Sequence, residues 1–168
     1  MLLLLVWKKS SFKTACVIFL ALVVAVFCTE LFASLVKNAI ARPRPCSINS
    51  EIATQLHLFA DGFLKLKSAD ANTIQCEKYS FFSAHAAVSF AIASFLGRLL
   101  SRITNKFFFA LLLWAFLVSI SRVYLGYHYP SDVIVGALFG FGIGILMYEI
   151  YEQLEDGFLK DYRFKSNI

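Results

Sequence analysis

The sequence predicts an all-α fold, a polytopic helical bundle in a membrane, and three observations carry that expectation. Of 168 residues, 59% are hydrophobic on a broad count and only 16% are charged, with a mean hydropathy of +0.69. An ordinary soluble domain carries about 25% charged residues. The apolar residues fall into four blocks, each close to the roughly 20 residues that cross a bilayer as a helix. The basic residues gather at the ends of those blocks and form no continuous stripe. A soluble enzyme and a disordered chain are excluded, and the net charge of +5 suits an anionic bilayer surface rather than a nucleic acid. The length allows one membrane-embedded domain over residues 1–168.

The opening Met1–Trp7 stretch is apolar but too short to span. It reads as a short N-terminal stub, either a surface anchor or the remnant of a helix whose earlier part is absent from this chain. A signal peptide fits poorly, because the apolar run that follows is long and no small-residue cleavage site precedes Arg42. The first span is expected from about Thr14 to Val36. Cys16 and Cys28 inside it read as small buried hydrophobes. Glu30 is the acidic residue within this span; a lone carboxylate in lipid costs about 2.5 to 3.5 kcal/mol, so it should face the bundle or pair with a cation.

The second span runs from about Phe82 to Leu100, the third from Phe107 to Tyr124 and the fourth from Val133 to Tyr151. Gly136, Gly140 and Gly144 recur every four residues on one face of the fourth. That spacing predicts a seam of close helix packing, with local flexibility as the rival reading.

Orientation follows from the flanks. Lys8, Lys9 and Lys13 precede the first span, Arg98, Arg102 and Lys106 occupy the turn between the second and third, and Lys160, Arg163 and Lys165 follow the fourth. With four spans these regions share one side, which the positive-inside rule makes cytoplasmic. The long connection over residues 37–81 and the short one after Leu125 then face outward. The long connection carries six basic residues, against the rule, which points to a task for some of them. Within it, Ile52–Leu66 alternates loosely at helical spacing and suits a membrane surface. Cys46 and Cys76 lie near its two ends. A disulfide between them would close the loop and stabilise it by about 3 to 4 kcal/mol in an oxidising compartment; two unpaired thiols are the alternative.

Three polar clusters meet on the outward side. Lys37 and Arg44 stand seven residues apart, on one face if the first helix continues past the bilayer, and Pro43 and Pro45 stiffen the chain around Arg44. Two fixed cations there would clamp a phosphate or anchor to lipid headgroups. Next, Ser83 is an expected N-cap for the second span, which leaves first-turn amides facing outward at the positive end of a helix dipole. His85 follows the cap by two residues and suits proton transfer at neutral pH, although a packing role is its bland alternative. The third cluster runs from Ser121 to Asp132 and holds Arg122, His128 and Asp132. A carboxylate four residues from an imidazole fixes its tautomer and leaves the other nitrogen free as nucleophile or base. Asp132 also stands where a helix start favours negative charge.

Together the clusters read lysine, six residues, Arg-Pro; then Ser-x-His; then Ser-Arg, five residues, His, three residues, Asp. This order and spacing resembles the type 2 phosphatidic acid phosphatase superfamily of integral membrane lipid phosphatases. The resemblance implies that His128 attacks phosphorus to give a phosphohistidine, that Asp132 orients and activates it, and that His85 protonates the leaving oxygen and later activates water. It implies phosphate binding by Lys37, Arg44, Arg122, Ser83 and the amide of Ala84. No metal and no cofactor are implied. The implied substrate is a lipid phosphate or diphosphate: undecaprenyl diphosphate, phosphatidic acid or phosphatidylglycerol phosphate, or a lipid A phosphate. The implied location is a bacterial inner membrane with the site facing the periplasm or exterior, and the partners are the bilayer and the lipid substrate, with no nucleic acid.

Two features depart from the family pattern. Phe82 and Ala84 occupy the proline and glycine places of the second element, so amide donation at Ala84 requires a negative φ there. Family members commonly have five or six spans, against four and a stub here. Soluble vanadate-dependent haloperoxidases share the three-element site, but their form conflicts with this composition. A catalytically silent lipid-phosphate binding or transport protein is the alternative from another class.

Overall fold

In the computed structural model, residues 12–45 and 79–156 are described, and they fold into four helices: α1 (Phe12–Ile40), α2 (Ala84–Ser101), α3 (Lys106–Tyr124) and α4 (Pro130–Leu154). All four are long and apolar enough to cross a membrane, as the composition predicts. The Met1–Trp7 stub, the Ile52–Leu66 stretch and both Cys46 and Cys76 lie outside the described residues.

Helix boundaries follow local chemistry. α2 starts at Ala84 because Ser83 caps it: Ser83 is extended (φ −71°, ψ 106°) and its Oγ accepts the Ala86 N–H at 3.4 Å. α4 begins three residues before the apolar block, at Pro130, whose ring presets a helical φ at the first position. α1 runs four residues beyond Val36 and carries Lys37 in its last turn.

α2 is the central helix and packs against the other three. Its sequence explains this, since Ala86, Ala87, Ala91, Ala93, Ser94 and Gly97 are buried small residues that let neighbouring backbones approach. α4 makes the closest approach. A Cβ on Gly140 would collide with the Ala87 backbone, one on Gly136 would meet the Ser83 carbonyl, and one on Gly144 would strike Ser94 and Ala91. The glycine seam is therefore a packing surface, as its spacing predicts. Ser94 adds a bond across it, donating to the Phe141 carbonyl at 3.1 Å.

The two ends of the bundle are held differently. At one end Phe95, Leu99, Tyr148 and Tyr151 pack with Ile18, and Arg98 pairs with Glu149 at 2.7 Å. Arg102 bridges Glu155 at 2.8 Å and Glu152 at 3.1 Å. Two of the arginines that indicate orientation in the sequence are thus also ties from α2 and its C-cap to α4. At the other end Phe82 fills the gap between α1 and α4: its ring lies 5.2 Å from Phe139, which stacks on Phe32 at 4.6 Å. Phe82 is buried, so the large side chain in the family's proline place is a packing element.

α1 meets the bundle through a narrow stripe, with Ile18, Ala25, Thr29 and Ala33 buried at helical spacing. Cys16 and Cys28 lie off that stripe and are exposed free thiols, which corrects the expectation that they are buried. Glu30 is likewise exposed. The outward side chains of the bundle are mostly large and apolar, among them Phe19, Phe27, Phe109, Leu113, Leu138 and Leu146. They account for the excess hydrophobicity of the chain, since a bilayer is the solvent that accepts them.

The seam yields a paired prediction. Gly140→Ala should lower the thermal unfolding midpoint in detergent, with an overpacking penalty of about 1 to 3 kcal/mol. Gly142→Ala, where an added Cβ meets nothing within 4 Å, should leave the midpoint unchanged or raise it.

Candidate active site

The second end of the bundle gathers every described chain segment that carries a candidate residue. α1 stops there because Ala41 turns into the left-handed region (φ 51°) while its N–H bonds the Lys37 carbonyl at 2.9 Å, a helix-ending motif usually built on glycine. Lys37 and Arg44 therefore do not share a continuous helix face, since the first helix does not continue to Arg44 and the chain leaves helix ahead of Pro43, as the prolines predict. Instead, the chain leaves α1 and lies across the bundle end. Ser80 fixes it, donating its N–H to the Arg42 carbonyl at 2.8 Å. Arg44 is buried, donates Nε–H to the Tyr79 carbonyl at 3.1 Å and lies 5.7 Å over the Tyr127 ring.

The third cluster forms a tight reversal. Gly126 takes a positive φ of 72°, after which the N–H groups of Tyr127 and His128 both donate to the Arg122 carbonyl, at 3.1 and 3.3 Å. This folds His128 back over the last turn of α3. His128 is 2% exposed and Asp132 is fully buried. Asp132 Oδ2 stands 3.7 Å from His128 Nδ1, an ion-pair distance longer than a hydrogen bond. The same oxygen accepts the Tyr129 N–H at 3.0 Å, so the carboxylate both caps α4 and faces the imidazole, the two roles expected of it.

The second cluster is tied to the third by backbone: the Ser83 N–H donates to the Asp132 carbonyl at 3.0 Å. Ser83 is fully buried and caps α2 as predicted. Ala84 takes no positive φ and opens the helix, so its amide sits at the positive end of the α2 dipole. His85 in the same turn is exposed. Arg122, Glu30, His128 and Lys37 are the charged or titratable groups that act on it.

Lys37, Glu30, Arg122 and His128 thus all lie within electrostatic reach of His85, with Asp132 beside His128 and Ser83–Ala84 in the turn that carries His85. Arg44 borders the group through Tyr127. Among the described residues, Arg122 Nε and His128 Nδ1 are buried nitrogens without a hydrogen-bond partner. Buried unpaired donors are costly, and an oxyanion is the ligand that satisfies a guanidinium. No group of three or more His, Cys, Asp or Glu gathers as metal ligands among the described residues.

Sequence reasoning missed Arg42, whose Nη1 reaches Asp132 Oδ1 at 2.8 Å and Ser131 Oγ at 3.0 Å. The guanidinium also lies 4.0 Å over the Tyr129 ring. The signal was present in Arg42-Pro43-Arg44-Pro45, a doubled Arg-Pro of which the motif uses only the second copy.

Fold and site define a class: a helical membrane protein with a histidine–carboxylate pair and a set of cations gathered at one end of the bundle. The model of the PAP2 superfamily matches residues 14–156, and the chain belongs to that superfamily. It is 33% identical over 158 residues to a lipid A 4'-phosphatase of Bacteroides thetaiotaomicron, an alignment that covers 91% of this chain and 62% of the relative. It is 34% identical over 76 residues to a lipid A 4'-phosphatase of Porphyromonas gingivalis, covering 44% of this chain and 30% of that relative. The chain thus spans less than two thirds of the length of either.

Ser83→Ala tests the local construction of this end. Loss of the cap should lower stability by about 0.5 to 2 kcal/mol, read as a lower thermal midpoint with an unchanged helical circular dichroism spectrum.

Proposed function

We propose that the chain is a membrane lipid phosphatase that hydrolyses a phosphomonoester or diphosphate on an amphiphile, through a phosphohistidine formed on His128. The observation that carries this reading is the buried pair in which Asp132 faces Nδ1 of His128 at 3.7 Å. A carboxylate on that side favours the proton at Nδ1 and leaves Nε2 as the reactive nitrogen. Nε2 bonds to phosphorus as the phosphorus–oxygen bond to the lipid breaks, and protonated His85 gives its proton to the departing oxygen. Neutral His85 then takes a proton from water, whose oxygen bonds to phosphorus as the phosphorus–nitrogen bond breaks. Lys37, Arg44 and Arg122, with Ser83 and the Ala84 amide, hold the non-bridging oxygens and stabilise the charge that develops on them. This scheme asks for cations only from side chains and uses no metal.

The names of the two relatives favour a lipid A phosphate as substrate over undecaprenyl diphosphate, phosphatidic acid or phosphatidylglycerol phosphate. Both relatives come from bacteria. Together with the basic flanks opposite the site, this supports a bacterial inner membrane with the site on the outer face, where a lipid phosphate reaches it from the bilayer. The Cys46–Cys76 disulfide belongs to the same proposal, since that face meets an oxidising compartment.

Purified protein in detergent should release inorganic phosphate from at least one member of a panel of these lipids, with lipid A the fastest. His128→Ala should cut the rate by about three orders of magnitude or more and abolish an acid-labile, alkali-stable phosphoenzyme. Equal rates for the wild type and His128→Ala would overturn the enzyme reading and leave a lipid-phosphate binding protein.

A further inference from the structure

Asp132 carries more structural connections than a partner of His128 needs, and one of them is to a residue outside the motif. Its carboxylate is wholly buried. Oδ2 takes the Tyr129 N–H at 3.0 Å and faces His128, while Oδ1 is held by Arg42 Nη1 at 2.8 Å. A buried charge is tolerated only when paired and hydrogen-bonded. Arg42 supplies that partner. Its own geometry is over-determined: Nη1 also donates to Ser131 Oγ at 3.0 Å, the guanidinium plane lies 4.0 Å over the Tyr129 ring, and the Arg42 carbonyl is bound by the Ser80 N–H. A guanidinium that makes two hydrogen bonds from one nitrogen and lies over a ring is not matched by a lysine ammonium.

We propose that Arg42 is a positioning residue of the active site, which holds the Asp132 carboxylate so that its second oxygen is presented to Nδ1 of His128. Arg42 acts through Asp132 and not on the phosphate. The proposal rests on the reading of His128 and Asp132 as nucleophile and orienting carboxylate. Its mechanical consequence is that the segment leaving α1 is part of the catalytic apparatus, since Arg42 is its contact with the start of α4. Its electrostatic consequence concerns the pair as a unit. Arg42 comes to it from the exit of α1 and Tyr129 from the reversal. His85 on α2 is within electrostatic reach of His128, and the Arg122 carbonyl of α3 accepts the His128 N–H. Further out, Lys37 acts on His85 and Arg44 lies over Tyr127. Of the cations among these, Arg42 is bonded to the carboxylate. Removing its positive charge leaves the buried Asp132 carboxylate less well balanced, which favours its protonation on acidification, so a smaller fraction of the enzyme is reactive at a given acidic pH.

The test is a cycle on the full chain in detergent, with lipid A and dioctanoyl phosphatidic acid as probes: wild type, Arg42→Gln, Asp132→Asn, the double variant and His128→Ala. Arg42→Gln should lower kcat by about 10- to 100-fold, leave KM within about twofold, and shift the acid limb of kcat to higher pH. On the Asp132→Asn background it should cause little further loss, because the two residues act as one unit. Arg42→Lys keeps the charge, so its acid limb should stay in place while kcat still falls. Added guanidinium ion should restore part of the rate of an Arg42→Ala variant. A wild-type kcat and pH profile in Arg42→Gln, or a loss that multiplies in full on the Asp132→Asn background, would overturn the proposal. Undiminished activity in His128→Ala would overturn the underlying site reading, and the proposal with it. Arg42→Lys retains the ion pair to the buried carboxylate and serves as the foldable variant if Arg42→Gln does not assemble.

Discussion

A buried carboxylate at the start of a membrane helix organises this molecule. Asp132 has no exposed surface, and leaving its charge unpaired there would be strongly destabilising. The carboxylate is met by Arg42 beyond α1, His128 in the reversal after α3 and the Tyr129 N–H at the start of α4, while the Asp132 backbone carbonyl separately accepts the Ser83 N–H ahead of α2. Each of those segments also carries or adjoins a residue expected to handle phosphate. Side-chain and backbone contacts of this one residue therefore join the segments that carry the three sequence elements.

That arrangement works only if α2 and α4 hold a fixed register. Between apolar helices in lipid the hydrophobic effect supplies no net attraction, so close packing and polar bonds must do so. The Gly136, Gly140 and Gly144 seam brings α4 onto the backbone of Ser83, Ala87 and Ala91, and Ser94 bonds across it. At the far end Arg98 and Arg102 tie α2 and its C-cap to Glu149, Glu152 and Glu155. Exposed ion pairs contribute little singly, but these fix the end of α2 opposite to His85. A slip of one residue along the seam would rotate Ser83 and His85 by about 100° relative to Asp132, which the glycine contacts forbid.

Much of this was legible in the sequence, and the exceptions have physical causes. Four spans are readable because lipid demands long apolar runs, and the Ser83 cap is readable because a serine side chain is a local solution to a helix start. The exposure of Cys16 and Cys28 was not. α1 is apolar around its whole circumference, so hydrophobicity carries no sign of which stripe meets the bundle; only small Ala25, Thr29 and Ala33 mark it. The end of α1 was legible in part, because Pro43 and Pro45 make the chain leave helix near Arg44. The left-handed Ala41 that ends it is not announced, since that position is usually a glycine.

The site shows the same division between local and long-range information. His128 and Asp132 are four residues apart, and their pairing follows from the start of a helix, so spacing alone predicts it. The contact between Arg42 and Asp132 joins residues 90 apart, and spacing offers no guide to it. Two arginines in an Arg-Pro-Arg-Pro run look interchangeable, yet their surroundings differ. Arg44 turns toward Tyr79 and Tyr127, whereas Arg42 turns toward Ser131 and Asp132. The intervening Pro43 fixes its own φ and restricts its predecessor, so the two arginines do not keep helical positions relative to one another. Two cations in one short segment therefore have different partners, Arg44 the Tyr79 carbonyl and Tyr127 ring, Arg42 the carboxylate that faces His128.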